Sequence, residues 1–229
     1  MFQSKFLFLL AGMVLLPCCA LAQKNEISFS VGAAFGDDQS LAVGDPSQCS
    51  VSRPHCQFFE LLSTPGKLAL EGSFAHRLFA AGPVSLYAEA PVFAIPHHKV
   101  NAEPESVFAF APPLTLDGSA LFFTPGVKVK VSLPVISIAP WVSIGGGLAH
   151  ITLDPDPRFS ATVTSRDTGA LELGGGLDFK TPLPHLGFRA EYRNFRSGTV
   201  FTTDTSRFFF VSPERIHHTF GAVGAVLQF

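Results

Sequence analysis

Apolar and polar residues alternate at every second position through much of this chain, which is the period of a β-strand and not of a helix. In Gly169–Lys180 one side is apolar and the other is charged or small. The apolar side holds Leu171, Leu173, Leu177 and Phe179, and the other side holds Glu172, Gly174, Gly176 and Asp178. The pattern predicts eight strands, at Asn25–Gly36, Lys67–Phe79, Val84–Ala94, Ser119–Ser132, Val135–Ile151, Gly169–Lys180, His185–Arg196 and Arg215–Phe229.

The connections between the predicted strands alternate in length. Long segments follow the first, third, fifth and seventh strands, at Asp37–Gly66, Ile95–Gly118, Thr152–Thr168 and Ser197–Glu214. Short turns follow the second, fourth and sixth strands, at Ala80–Pro83, Leu133-Pro134 and Thr181–Pro184. Short turns on one rim and long loops on the other are typical of bacterial outer-membrane barrels. We therefore predict an all-β fold, an eight-stranded antiparallel up-and-down transmembrane β-barrel with both termini on the short-turn rim.

Composition favours a membrane location without a membrane helix. The chain is 47% hydrophobic and only 15% charged, whereas a water-soluble domain carries about 25% charged residues. Beyond the N-terminal segment, no uncharged apolar run is long enough for a transmembrane helix. A barrel spreads its apolar residues over alternate positions, which accounts for both observations. The formal net charge of −2 argues against a nucleic-acid partner.

The N-terminal segment has the pattern of a secretory signal peptide. Lys5 precedes the apolar run Phe6–Leu16, and Ala20-Leu21-Ala22 fits the small-residue cleavage rule. We expect cleavage before Gln23, so that residues 1–22 are removed and residues 23–229 form a single barrel domain. Lipoprotein processing at Cys18 or Cys19 is the alternative, and Pro17 fits it poorly.

Alternation alone does not decide which side of the strands faces inward, and a soluble lipocalin-like barrel with an apolar interior is the alternative. Small residues on the polar side, among them Gly145, Gly147, Gly174 and Gly176, favour a tight polar lumen. The charges on that side also balance. Glu71, Glu89, Glu172, Asp178 and Glu191 oppose Arg77, Lys128, Lys130, Arg189 and Arg193. Eight strands enclose little more than their own side chains. We therefore predict that these ten residues form a lumenal salt-bridge network. A narrow ion path or a proton-linked gate is the alternative.

The mature chain resembles the small outer-membrane β-barrels typified by the OmpA transmembrane domain. The resemblance is carried by the signal segment, the eight strands, the unequal connections, the strand fragment Phe188–Arg193 and the terminal Phe229. It implies surrounding outer-membrane lipid, periplasmic termini, extracellular long loops, and recognition of Phe229 by the barrel assembly machinery. One departure is the aromatic composition, since interfacial girdles usually use Trp and Tyr, and this chain has one Trp, two Tyr and 24 Phe.

Two cysteines remain after removal of the signal segment, Cys49 and Cys56. They lie seven positions apart in one polar segment, and an exported protein meets an oxidising compartment. We predict a local disulfide between them. A metal pair or a catalytic thiol is the less supported alternative.

Candidate chemistry outside the lumen is sparse in the sequence. Six histidines fall near the long-loop rim, His55, His97, His98, His150, His217 and His218, but neighbouring histidines on a strand point to opposite faces. We therefore predict no metal and no cofactor. A hydrolase would need a Ser or Thr nucleophile beside a His and a carboxylate, and the nearest arrangements are His218-Thr219, and Ser206 near Glu214.

These observations lead to a functional expectation. The sequence shows no His-x-Ser pair on a predicted lipid-facing strand, which a lipid hydrolase would use. We therefore expect a non-enzymatic outer-membrane protein. It would be structural or present its loops to an unidentified extracellular ligand. A lipid-modifying outer-membrane enzyme is the second hypothesis, and a narrow gated channel is the third.

Overall fold

The computed structural model describes residues 24–36, 39–44, 57–63, 67–104, 114–132, 137–154, 164–198, 209–211 and 217–229. The signal segment, Cys49 and Cys56 lie outside these residues, so the cleavage site and the disulfide stay predictions. Within the described residues every regular element is a β-strand, and no helix there is long and apolar enough to cross a membrane.

The strands run in chain order as β1 (Asn25–Gly36), β2 (Gln39–Gly44), β3 (Gln57–Ser63), β4 (Lys67–Ala81), β5 (Val84–Pro104), β6 (Leu114–Phe123), β7 (Gly126–Val131), β8 (Ile138–Asp154), β9 (Thr164–Lys180), β10 (Leu186–Ser197), β11 (Phe209–Val211) and β12 (His217–Gln228). A closed antiparallel ring is formed by β1, β4, β5, the pair β6 and β7, β8, β9, β10 and β12, which returns to β1. The predicted eight-stranded barrel is confirmed.

The register shows how strongly the strands are staggered. Following residue partners once around the ring from Glu26 leads back to Gly36, ten positions further along the same strand. The path is Glu26, Ala75, Glu89, Gly126, Gly145, Glu172, Phe195, His218 and Gly36. With eight strands, this stagger corresponds to a tilt of roughly 40° from the barrel axis. The small radius that follows leaves room for side chains and little else.

The fourth predicted strand, Ser119–Ser132, is divided into β6 and β7 at Thr124-Pro125. Pro125 has no N–H to donate, and Pro91 lies opposite this point on β5, so the ladder is interrupted on that side. The register is the same before and after the gap, because Val92 pairs with Phe123 and Glu89 pairs with Gly126. The two segments therefore occupy one position in the ring.

Segments expected to be long connections contain further strands. β5 continues to Pro104 instead of ending near Ala94, and its end pairs with β3, which pairs with β2 and through it with β11. These pairings extend the sheet beyond the ring on the long-connection side. The sequence analysis assigned these pieces to the long connections, because their hydrophobic alternation is too short to separate from loop sequence.

The opposite rim carries the short connections. Gly82 between β4 and β5 has a φ of 57°, and His185 before β10 has a φ of 71°, both in the left-handed region that tight turns use. On the same rim, the backbone N–H of Asn25 donates to the Phe229 carbonyl at 2.8 Å, and the N–H of Phe229 donates back at 3.0 Å. Phe229 thus closes the seam between the first and last strands. Its role in assembly stays a prediction.

Candidate functional site

The barrel has a charged interior and an apolar exterior, the reverse of a soluble protein. On β9, Glu172 is 2% exposed and its neighbour Leu173 is 53% exposed. Burial on β10 alternates residue by residue in the same sense. The exposed face is studded with large apolar side chains all around the ring, including Phe29, Val31, Phe74, Val127, Val142, Ile144, Leu148, Leu171, Leu173, Phe188, Val223 and Leu227.

Arg193 is the hub of the lumenal charges and is fully buried. Its guanidinium meets four carboxylates from four strands: Glu172 at 2.6 Å, Glu71 at 2.8 Å, and Glu89 and Glu191 at 3.3 Å. The planar fork of an arginine, with five N–H donors, suits several carboxylates at once. This residue therefore ties β4, β5, β9 and β10 together through the middle of the barrel.

A second group of ion pairs lies closer to the short-turn rim. Lys128 bridges Glu26 at 3.1 Å and Glu89 at 3.0 Å. Lys130 contacts Asp178 at 2.6 Å and forms a further ion pair with Glu26. All five side chains are almost completely excluded from solvent. Because Glu89 also contacts the hub arginine, the two groups form one continuous network.

Trp141 supports this network from the wall of the lumen. Its indole N–H donates to Asp178 at 3.2 Å, and the same carboxylate accepts two hydrogen bonds from Arg189 at 2.7 and 3.0 Å. The guanidinium carbons of Arg189 and Arg193 lie 4.9 and 5.0 Å from the indole centroid, and the Lys128 ammonium lies 5.6 Å from it. The ring thus stacks against the cations that the carboxylates hold.

Nine of the ten lumenal charges named from the sequence lie buried in this network. Arg77 is the exception. It is half-buried near the short-turn rim, beside Tyr87, and no ion pair joins it to the network in the described part of the chain. The β4–β5 register shifts between Arg77 and Phe79, which ends the regular alternation there. Sequence reasoning missed Glu26, although it shares a strand face with Ser28 and Ser30.

The network contains more acids than bases. Among the described lumenal residues, six carboxylates face four bases once Glu26 is included. One oxygen of Glu191 and the Oε2 atom of Glu71 are buried without a hydrogen-bond partner. Uncompensated buried charge is costly, so this surplus of acids makes the network sensitive to the loss of any one base.

The lumen changes character on the long-connection side, where a cluster of aromatic rings replaces the charges. Phe93 stacks on Phe195 with centroids 4.6 Å apart, contacts Phe220 edge-on at 4.7 Å, and lies 5.7 Å from Phe122. All four rings are fully buried, and small or aliphatic side chains surround them: Ala34, Ala69, Ile95, Ala120, Ala149, Ile151 and Ala170. This aromatic cluster fills the lumen on the long-connection side.

Glycines give the large lumenal side chains their space. A Cβ on Gly176 would lie 2.7 Å from the Trp141 ring and 2.5 Å from the Ala190 carbonyl oxygen. One on Gly174 would lie 2.4 Å from the Ser143 hydroxyl. This crowding agrees with the tight polar lumen that the small residues on this side predicted from the sequence.

The exterior also has a boundary, where apolar residues give way to polar ones. On β8 the outward side chains continue through Leu148 and then change to His150 and Thr152. On β9 they change at Asp167, whose Oδ1 atom lies 2.6 Å from His150 Nδ1. Asn194 and Thr219, joined by a hydrogen bond of 3.2 Å, mark the change on β10 and β12. This boundary is called the outer margin below.

The histidines do not converge on a metal site within the part of the chain that the structure describes. His217 faces outward, whereas His218 is buried beside Phe122, with ring centroids 5.5 Å apart. The two thus lie on opposite faces of β12, as expected for neighbours on a strand.

Comparison with known proteins shows similarity of fold at low sequence identity. The chain is similar to Neisserial surface protein A, with 9% identity, a TM-score of 0.48, and coverage of 90% of this chain and 97% of that one. It is similar to the outer membrane protease OmpT of Escherichia coli, with 8% identity, a TM-score of 0.46, and coverage of 93% and 99%. It is also similar to Ail, the attachment invasion locus protein of Yersinia pestis, with 13% identity, a TM-score of 0.40, and coverage of 89% and 99%.

No protein-family model matches the chain. No curated protein matches it by sequence either. The barrel architecture is established by the strand pairing and burial of this chain.

Proposed function

We propose that the protein is an outer-membrane β-barrel whose lumen is sealed and serves to hold the wall together. The observation that carries this proposal is the inverted burial pattern. Charged side chains such as Arg193 and Lys128 are 0% exposed, whereas Val142 and Leu171 are more than 60% exposed. Water would oppose this arrangement on both faces, because it solvates charge and rejects large apolar patches. Hydrocarbon outside the barrel favours it on both faces.

The height of the apolar band supports the same environment. On β9 the outward side chains stay apolar or small from Phe179 to Gly169, a span of ten residues. At a rise of about 3.3 Å per residue and a tilt of roughly 40°, this span covers about 25 Å along the barrel axis. That is the height of the apolar band of outer-membrane barrels.

The two lumenal layers argue against a constitutive channel. An ion entering from one rim meets the Phe93 cluster, and one entering from the other meets the network around Arg193. The interior of an eight-stranded barrel is just wide enough for such side chains to fill it. The gated-channel hypothesis would need both layers to move, and their contacts are short and mutually dependent.

The orientation is part of the proposal. The short turns and the Asn25–Phe229 seam share one rim, which we place in the periplasm. The opposite rim, with the sheet extension of β2, β3 and β11, then faces the outside of the cell. In this arrangement the partners are outer-membrane lipid around the band, the assembly machinery during insertion, and a ligand of the outer loops.

Two measurements on the full-length protein test the proposal. Cell fractionation followed by electrophoresis with and without boiling should find the protein in the outer membrane, with a folded form that migrates faster than the boiled form. Purified protein in planar bilayers should show no steady conductance above the protein-free baseline. Recovery of a folded species in the soluble periplasmic fraction would overturn the membrane assignment, and stable open-channel currents would overturn the sealed lumen.

A further inference from the structure

Three side chains at the outer margin form a hydrogen-bonded chain that the lumen does not explain. β8 places His150 and Thr152 two residues apart and therefore on the same outward face. β9 places Asp167 directly opposite His150. The Asp167 carboxylate contacts His150 Nδ1 at 2.6 Å, and the Thr152 hydroxyl lies 3.4 Å from His150 Nε2. The imidazole thus has the carboxylate at one ring nitrogen and the hydroxyl at the other.

This order is the one that nucleophilic catalysis requires. A carboxylate at Nδ1 fixes the imidazole tautomer with its proton on that nitrogen, which leaves Nε2 as the acceptor facing the hydroxyl. A base at hydrogen-bond range from a hydroxyl, itself oriented by a third group, marks an activated nucleophile. His150 is about one-third exposed and Asp167 is 75% exposed, so a substrate can reach the group.

We propose that Thr152, His150 and Asp167 form a hydrolytic site for carboxylic esters of fatty acyl chains in membrane lipid. Thr152 is the nucleophile, His150 the general base and acid, and Asp167 the residue that positions His150. Ser119 and Ser165 flank Thr152 on the two neighbouring strands. Directly opposed residues have Cβ atoms about 4.5–5.5 Å apart, so each serine can offer a hydroxyl donor to an ester oxygen that gains charge next to Thr152.

Depth in the bilayer selects the substrate class, and this step rests on the membrane location proposed above. Leu148 is 62% exposed and is the last large apolar side chain before His150 on this face. The triad therefore sits where the hydrocarbon band ends. Acyl esters of membrane lipids lie at this same boundary between chains and headgroups, so the acyl chain would run down over Leu148 and Leu171 while the headgroup stays above.

The reaction balances without a further reagent. Thr152 Oγ1 attacks the acyl carbonyl carbon and passes its proton to His150 Nε2. The ester C–O bond breaks, and the leaving alcohol takes that proton. Water then attacks the acyl-threonine and gives a proton to His150, the acyl–Oγ1 bond breaks, and Oγ1 regains the proton. The products are a fatty acid and a lipid alcohol.

The test uses full-length protein folded into vesicles, with released fatty acid measured by mass spectrometry. One set of vesicles contains dipalmitoyl phosphatidylglycerol, and a second set contains lipid A, which separates glycerol esters from acylated glucosamine esters. We expect protein-dependent release in one of the two sets. Thr152→Ala and His150→Ala should lower the rate about 100-fold or more. Thr152→Ser should retain activity, because a hydroxyl stays in place.

Two further variants separate catalysis from structure. Thr219→Ala removes another outward threonine on this side of the barrel, whose partner is Asn194 and not His150, and should leave the rate unchanged. Asp167→Asn should lower kcat by roughly 10-fold or more and alter the pH–rate profile, because the substitution disturbs the orientation of His150. KM should change little, because the contacts with lipid remain.

The outcomes are distinguishable from those of the proposed function. Heat-dependent gel migration shows whether each variant has inserted and folded. Inserted wild-type protein that releases no fatty acid in either vesicle set, or a Thr152→Ala variant as active as wild type, would overturn the hydrolytic site and leave the sealed barrel standing. Failure of the wild-type protein to insert would overturn both.

Discussion

The two halves of the lumen solve the same packing problem with opposite chemistry. The half toward the short-turn rim is filled by charges that converge on Arg193, whereas the half toward the long connections is filled by the Phe93 cluster. The aromatic half contains no ionic partner that has to be matched, and each ring contributes by filling space. The charged half is stable only as a complete set, because each buried charge depends on its partners.

The two halves therefore differ in how well they tolerate substitution. Truncation of one phenylalanine side chain in the aromatic half leaves a cavity, but the remaining rings keep an apolar environment. Removal of one base from the charged half leaves several carboxylates without a partner, and the described lumenal residues already include more acids than bases.

Loss of the hub arginine should have the largest effect. Arg193→Met leaves four buried carboxylates without their shared cation and should lower the free energy of unfolding by about 5 kcal/mol. Urea titration of protein folded in vesicles measures it. Arg196→Met is the matched control on the same strand, because Arg196 is exposed on the outer face, and its effect should stay below about 1 kcal/mol.

A partner change checks the cause of that loss. Adding Glu172→Gln to Arg193→Met removes one stranded carboxylate, so part of the lost stability should return. Equal destabilisation by the two arginine substitutions, or no recovery in the double variant, would contradict the hub role.

The aromatic half should respond next. Phe93→Ala removes the ring that contacts Phe122, Phe195 and Phe220 and should cost about 3–4 kcal/mol through the cavity it leaves. Phe123→Ala removes a ring of the same size from the lipid-facing side and should cost clearly less. The same urea titration applies. A larger loss for the Phe123 variant would mean that the faces are reversed.

Overpacking of the charged half should have a smaller effect. Gly176→Ala pushes a methyl group against the Trp141 ring and should cost about 1–3 kcal/mol. Gly175→Ala points outward, where its nearest neighbours lie 3.4 Å or more away, and should be nearly neutral. These neighbouring residues form a matched pair, measured by thermal unfolding followed by circular dichroism. Similar midpoints for the two variants would show that the lumen is not tightly filled.

The smallest expected effect is the coupling energy between the two halves of the lumen. Lys130 contacts Glu26 and Asp178, whereas Phe220 contacts Phe93, so the two residues share no partner among these contacts. A double-mutant cycle with Lys130→Met and Phe220→Ala should therefore show a coupling energy below about 0.5 kcal/mol. A coupling well above 1 kcal/mol would show that the halves form one cooperative unit.

Much of the wall was predictable from alternation alone. Period-two patterning located the eight ring positions and separated Glu172 from Leu173, because adjacent strand residues must face opposite sides. It failed where regularity ends. Arg77 lies at a register shift, and the short strands β2, β3 and β11 carry too few residues for the pattern to be distinct.

The layering of the lumen and the outer-margin triad needed the three-dimensional register. Phe93, Phe122, Phe195 and Phe220 come from four strands, and nothing in the sequence aligns them. Asp167 meets His150 only because β8 and β9 pair as they do. The sequence did contain a signal in His150-Ile151-Thr152, which places His150 and Thr152 on one outward face. The expectation of a non-enzymatic protein stays a prediction, and the fatty-acid assay will decide it.

Nitroxide labels placed along the outward face of β9 would show whether this inverted barrel spans a bilayer. Cysteine variants at Leu177, Leu173 and Gly169 carry labels from near the short-turn rim to the outer margin without entering the lumen, and a side chain at Gly169 meets open space. In vesicles, accessibility to oxygen relative to a water-soluble nickel chelate should be highest at position 173 and lower at positions 177 and 169, because oxygen concentrates in mid-bilayer. Uniformly high accessibility to the nickel chelate at all three positions would place the apolar band in water and rule out a transmembrane barrel.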